Sequence, residues 1–307
     1  MGQDGRYLTE QLTAKGVEVV GLSRAGLHCA DGSLNQALRM DDKGFPGDII
    51  ANLRPDRIFY LAAFHHASED AVCRDAEILH RSFAVHVSGL LNFLDALLIH
   101  HPSGRLFYAA SSHVFGVPAR TPQDEDTPMT ACCPYGISKA AGVQICQLYR
   151  RRHNFFCSVG FLYNHESPRR KGSFLSRKIV KAAVAIYRRQ LDELVLGDLD
   201  ARVDWGYAPE YTDAMMRILE LDRPNDFIIA SGTLKSVRDF LTAVFEYVGL
   251  DWHDWVRVDP TLLKKNNKEG MLVGNPARLK SATGWSSSIN LQSLAKMMVD
   301  AELGGTY

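Results

Sequence analysis

An excess of basic residues is missing from this 307-residue chain: Lys+Arg and Asp+Glu are 35 each, and the formal net charge is zero. That balance excludes a general polyanion binder, so no nucleic-acid partner is expected. Cysteine is scarce. Cys29, Cys73, Cys132, Cys133, Cys146 and Cys157 show no CxxC pair and no regular spacing. This excludes a disulfide framework and fits reduced thiols in a cytoplasmic setting. The residues after Met1 are polar, with no basic segment leading into an apolar run. Neither a signal peptide nor a membrane span is expected. Low-complexity tracts and internal repeats are absent. His65 and His66 have no spaced acid or cysteine cluster with them, so no metal site is expected.

What is present is apolar residue, 46% of the chain, enough for a large core in two lobes. Tyr7, Leu8, Leu12 and Ala14 share one face of a helix over 5–15, which Gly16 ends. VEVVGL (17–22), DRIFYLAA (56–63), GRLFYAASS (104–112) and NFFCSVGFLYNH (154–165) read as strands. Ala71–Leu98 reads as helix, in one or two pieces, and CPYGISKAAGVQICQLYRRR (133–152) as a helix behind a proline. Such alternation predicts an α/β Rossmann-like parallel sheet with helices on both faces and a ligand at the carboxyl ends of its strands. Beyond His165 a basic loop leads into an amphipathic helix. A helix over 209–219 and the strand DFIIASG then return to the sheet. The expected division is a dinucleotide-binding domain over 1–163 and a smaller mixed lobe over 164–307, with about 204–232 rejoining the first domain.

Tyr135 and Lys139 in Y-G-I-S-K lie four apart on one helix face. An amine near a phenol favours the phenolate, which makes the tyrosine a usable acid/base. That spacing is common in helices of every kind. Its weight comes from Ser111 and Ser112, which close an apolar strand aimed at the same cleft. A hydroxyl there can bond a substrate oxygen while Tyr135 exchanges its proton.

These residues, with GQDG at the start, FLYNHESPRR (161–170), SRKIVKAAVAIY (176–187) and LGDLDARVDWGYAPEY (196–211), resemble the extended short-chain dehydrogenase/reductase family. Within it they are most similar to the GDP-mannose 4,6-dehydratases. The resemblance implies bound NADP, a GDP-linked or related sugar nucleotide, a 4-keto-6-deoxy product, and a homodimer or homotetramer. It implies catalytic roles for Ser111, Tyr135 and Lys139, and places His113 where the family has a glutamate that removes the C5 proton. A neutral imidazole can accept that proton. It equally suits an epimerase, a 4-keto reductase or a chain that has lost elimination, and a histidine can simply pack at a strand end.

The resemblance also implies cofactor contacts from Gly2, Gly5, Arg24, Asp41, Ala62, Ala63 and Arg170, beside Tyr135 and Lys139. Arg24, past the second strand, suits the extra phosphate of NADP. Substrate contacts implied are Ser112, Asn164, Lys178, Arg202 and Lys264, with Arg169 adding charge near the same path. Three positions depart from the pattern. Val203 stands for an arginine beside Arg202, Lys264 replaces another without reproducing its fork, and Tyr207 replaces a histidine. Only the last two fingerprint glycines are found, so the first strand and first glycine are expected to be missing. Either a start codon lies upstream of Met1, or the chain is a degenerate, non-catalytic copy.

Overall fold

The computed structural model describes residues 2–23, 26–28, 34–35, 44–64, 74–262 and 271–305. Helix α1 (Gln3–Ala14) starts at Gly2 and buries Leu8 and Leu12. It ends where Gly16, at φ +75°, donates to Thr13 O, a left-handed stop that glycine enters without steric cost. The expected strand over 17–22 is only β1 (Gly21–Ser23). It pairs antiparallel with β2 (Gly26–His28), which pairs with β3 (Leu34–Asn35). That correction has a plain cause: the ladder bonds of β1 go to its own hairpin partner and not to the main sheet.

The main sheet is parallel throughout. After α2 (Gly44–Leu53) come β4 (Arg57–Tyr60), α3 (Asp75–Phe83), a π turn (Ala84–Gly89), α4 (Leu90–His100) and β5 (Arg105–Ser111). Then follow α5 (Pro134–His153) and β6 (Cys157–Leu162). With β10 (Asp226–Ile229) the order is β10-β6-β5-β4 among the described residues. From Leu106 to Ser111, β5 is buried on both faces, as a central parallel strand should be. The helical run Asp75–His100 is long and apolar enough to cross a membrane by length and composition, against the expectation that no segment would be. Here Leu90, Phe93, Leu94 and Leu97 pack into the core against β5 and β6. Burying each such side chain is worth about 1.5–3 kcal/mol.

The strand expected over 154–165 divides. β6 stays in the main sheet, and after Tyr163 the chain enters β7 (Asn164–Glu166), which pairs with β9 (Arg202–Tyr207). A second core forms from α6 (Leu175–Tyr187), β8 (Leu194–Leu196), β9, α8 (Val237–Tyr247) and α10 (Leu291–Gly304). Between the two, α7 (Ala208–Glu220) packs on α1 and on β5, and β11 (Leu234–Ser236), β12 (Val256–Val258) and α9 (Ala277–Thr283) complete the chain. The carboxyl ends of β4, β5 and β6 therefore face the junction with β7 and α6.

Candidate active site

The site grows from the end of β5. Ser111, still extended, caps a short 3₁₀ turn over Ser112–Phe115, its Oγ accepting from His113 N at 3.3 Å. Ser112 is 3% exposed, whereas His113 is half-buried at the mouth of the turn. Helix α5 docks against this turn through Gly136. A Cβ there would meet His113 O at 2.4 Å, so only glycine allows the approach. Pro134 occupies the first turn of α5, where its missing N–H costs nothing.

That docking brings the rings of His113 and Tyr135 to 6.0 Å, edge to face. One turn on, Lys139 is 1% exposed, and its Nζ donates to Ala109 O at 2.7 Å. Nζ stands 5.0 Å from the ring centre of Tyr108 and 5.9 Å from that of Tyr135. The expected electrostatics are corrected here. Burial pushes the Tyr135 phenol up to about 12; Arg170 acts against that rise and Asp4 adds to it. Burial also pushes the Lys139 amine down to about 7. Desolvation outweighs local pairing for both groups.

Asp4 and Arg170 act on Tyr135 because α1 starts beside the NHESPRR segment. Asp4 Oδ1 lies 3.1 Å from His165 Nε2, while His165 Nδ1 faces Tyr163 O at 2.8 Å. With an acceptor at each nitrogen the imidazolium is favoured. Burial pushes His165 down, but the Asp4 carboxylate prevails and holds it above the ordinary value. Burial likewise raises Asp4, and His165 more than reverses it. Gln3 adds bonds from Nε2 to His165 O at 3.1 Å and from Ser167 Oγ to its own Oε1 at 2.7 Å. Arg170 pairs with Glu166 at 3.2 Å, and Ser176 donates to the same carboxylate at 2.5 Å. Arg169 folds back onto Glu10 at 2.7 Å and the Tyr7 ring. Asp4 and His165 stand inside the GQDG and FLYNHESPRR motifs, but nothing in either motif marks them as site residues until α1 is laid beside β7.

The structure thus brings together Ser111, His113, Tyr135, Lys139, Arg170 and the Gly2–Gly5 turn. Ala62 and Ala63 follow the end of β4, half-buried and exposed. Asn164 is exposed at the start of β7 and Lys178 half-buried on α6. Arg202 lies exposed on β9, where its charge acts on Asp239. Arg24, Asp41, Lys264, His65 and His66 lie outside the described residues. Among the described residues no three metal-ligating side chains cluster.

The donor set suits a nicotinamide dinucleotide at its reactive end. The buried amine of Lys139 gives one N–H to Ala109 O and, even when neutral, keeps a second for a ligand. The α1 start presents Gly2, where an added Cβ would meet no atom within 4 Å, leaving open approach to the first-turn N–H groups.

Comparison with known proteins agrees with this geometry. A family described as GDP-mannose 4,6 dehydratase matches residues 1–298. GDP-mannose 4,6 dehydratase 2 of Arabidopsis thaliana is 34% identical over 98% of this chain and 84% of its own length. The GDP-mannose 4,6 dehydratase of Homo sapiens is 30% identical over 98% and 89%. Among solved structures, RMD from Pseudomonas aeruginosa complexed with NADPH superposes with a TM-score of 0.84. It is 20% identical and covers 99% of this chain and 97% of its own. A UDP-glucose 4-epimerase from Thermotoga maritima with UDP-glucose gives 0.84 at 17% identity, covering 100% and 97%. The last two establish the Rossmann-like fold.

Proposed function

Because this chain belongs to the GDP-mannose 4,6-dehydratase family, we propose that it converts GDP-mannose to its 4-keto-6-deoxy derivative with NADP as a resident cofactor. The observation that carries the reading is the packing of Tyr135, Lys139 and His113 at the carboxyl end of β5. The NADPH held by the Pseudomonas aeruginosa RMD supports a nicotinamide cofactor; Arg24 supports the phosphorylated form. The cofactor held along this path would supply reversible hydride chemistry, as acceptor for C4 of the hexose and donor for C6.

The chain's residues handle the protons. Tyr135 exchanges the proton of the C4 hydroxyl, and the hydroxyl of Ser111 bonds that same oxygen. Lys139, buried one turn on from Tyr135, would hold the nicotinamide ribose through the N–H it does not give to Ala109 O. The 4-keto group acidifies C5–H, and His113 removes that proton as water leaves from C6. Ser112, Asn164, Lys178 and Arg202 hold the sugar nucleotide, while Gly2, Gly5, Ala62, Ala63 and Arg170 line the cofactor path; Lys264 and Asp41 join these two sets on the family resemblance alone. We place the enzyme in the cytoplasm as a homodimer or homotetramer.

Incubation with GDP-mannose and NADP, followed by mass spectrometry of the nucleotide sugar, tests the reading. Loss of one water with no net change in NADPH supports it. The histidine at 113 favours a second reading, an epimerase or 4-keto reductase of the same fold. C5 deuterium exchange without water loss, or stoichiometric NADPH consumption with a keto sugar, would establish that alternative.

A further inference from the structure

His86 lies in the π turn between α3 and α4 and is fully buried. The backbone N–H of Phe64 donates to its Nε2 at 3.0 Å. A ring nitrogen that accepts from a backbone N–H carries no proton, so the proton of the neutral ring sits on Nδ1. Nδ1 is 2.8 Å from Ser138 Oγ, and the Ser138 hydroxyl donates onward to Tyr135 O at 2.9 Å. The hydrogen bonds therefore run in one direction, from Phe64 N–H through His86 and Ser138 to the carbonyl of Tyr135. The path begins in the segment after β4, beside Ala62 and Ala63, and ends in the first turn of α5. The His86 ring also meets the Tyr135 ring edge-on, with centres 5.3 Å apart.

The surroundings hold this histidine in place. Tyr60 on β4 donates to Val85 O, and Tyr108 on β5 donates to His86 O at 3.4 Å. Both carbonyls belong to the π turn, a distortion that recurs at functional sites. Tyr108 is also the ring over which Lys139 rests. Every partner of His86 named here touches either the loop after β4 or the Tyr135–Lys139 pair.

We propose that His86 is a positioning residue: a neutral, Nδ1-protonated imidazole that ties the cofactor-side loop to the turn carrying Tyr135. This rests on the reading of Tyr135 as the proton-exchanging group. A histidine serving only as filling would leave the ring of Tyr135 and the reaction rate indifferent to the direction of these bonds.

Nitrogen-15 NMR of histidine-labelled full-length protein reads the tautomer without substrate. The expected result is a protonated Nδ1 and an unprotonated Nε2 on His86; a proton on Nε2 overturns the proposal. Kinetics of His86→Phe, Ser138→Ala and the double variant supply the second arm. Each single change should lower kcat about ten- to a hundredfold with KM for the sugar nucleotide unchanged. The double should lose no more than the worse single, because both sit in one chain of bonds. Unchanged kcat in Ser138→Ala, or strictly multiplying losses, overturns the proposal even where His86→Phe folds poorly. If the unmodified protein forms no dehydrated product, the dehydratase reading fails, and the tautomer still decides whether the relay exists.

Discussion

Replacing Lys139 by methionine should leave a more stable protein with a disabled site. The amine is 1% exposed, and burial moves it from 10.5 to about 7. Each pH unit between those values is about 1.4 kcal/mol of folding free energy. At pH 7 the unfolded chain holds a full proton on this amine and the folded chain about half of one, so keeping lysine there costs roughly 4–5 kcal/mol. Methionine removes that cost and fills similar space. It also gives up the bond to Ala109 O and the contact with the Tyr108 ring, together about 1–2 kcal/mol. The net expectation is stabilisation of about 3 kcal/mol at pH 7. Between pH 7 and 10.5 the unfolded state binds more protons than the folded state, so unmodified protein gains stability as pH rises. Methionine does not titrate, so the advantage of the variant should shrink by roughly 1 kcal/mol per unit between pH 7 and 9. Urea unfolding of both proteins at pH 7, 8 and 9 measures it. A variant no more stable at pH 7, or one whose advantage is flat to pH 9, would refute the argument that desolvation dominates this amine.

Three further outcomes follow from particular contacts. Asp4→Asn should destabilise by about 1–2 kcal/mol near pH 5–6 and by less at pH 8. The lowered Asp4 contributes only above its folded pKa, and the raised His165 loses its contribution as pH rises through its own; urea midpoints across that range check this. Gly136→Ala should cost about 1–3 kcal/mol and lower activity, because the new methyl would press on His113 O; thermal unfolding and initial rates measure both. His113→Gln should abolish solvent deuterium incorporation at C5 and reduce dehydration on the order of 10²–10⁴-fold. Nucleotide-sugar binding should persist in that variant, and retention of C5 exchange would remove the imidazole from the role of base.

Much of the architecture was legible in the chain because periodicity survives folding. The α1 and α5 faces and the alternation of strand with helix could all be read from spacing. The failures have a common cause: hydrogen-bond partners are chosen over distance. VEVVGL reads as a strand of the main sheet, yet its paired part bonds to a neighbouring hairpin. NFFCSVGFLYNH reads as one strand, yet its two halves pair with β5 and β9. His86 looks like any histidine in a helical run until the segment after β4 is laid against it.

The electrostatics diverged for a related reason. Spacing on a helix places an amine near a phenol, and in water the amine would make the phenol more acidic. Folding instead removes water from both, which raises the phenol to about 12 and lowers the amine to about 7. Burial thus acts against both charged forms, opposing the phenolate–ammonium pair that the spacing suggests. The balance at this pair is therefore set by the burial that the fold imposes and not by the four-residue spacing alone.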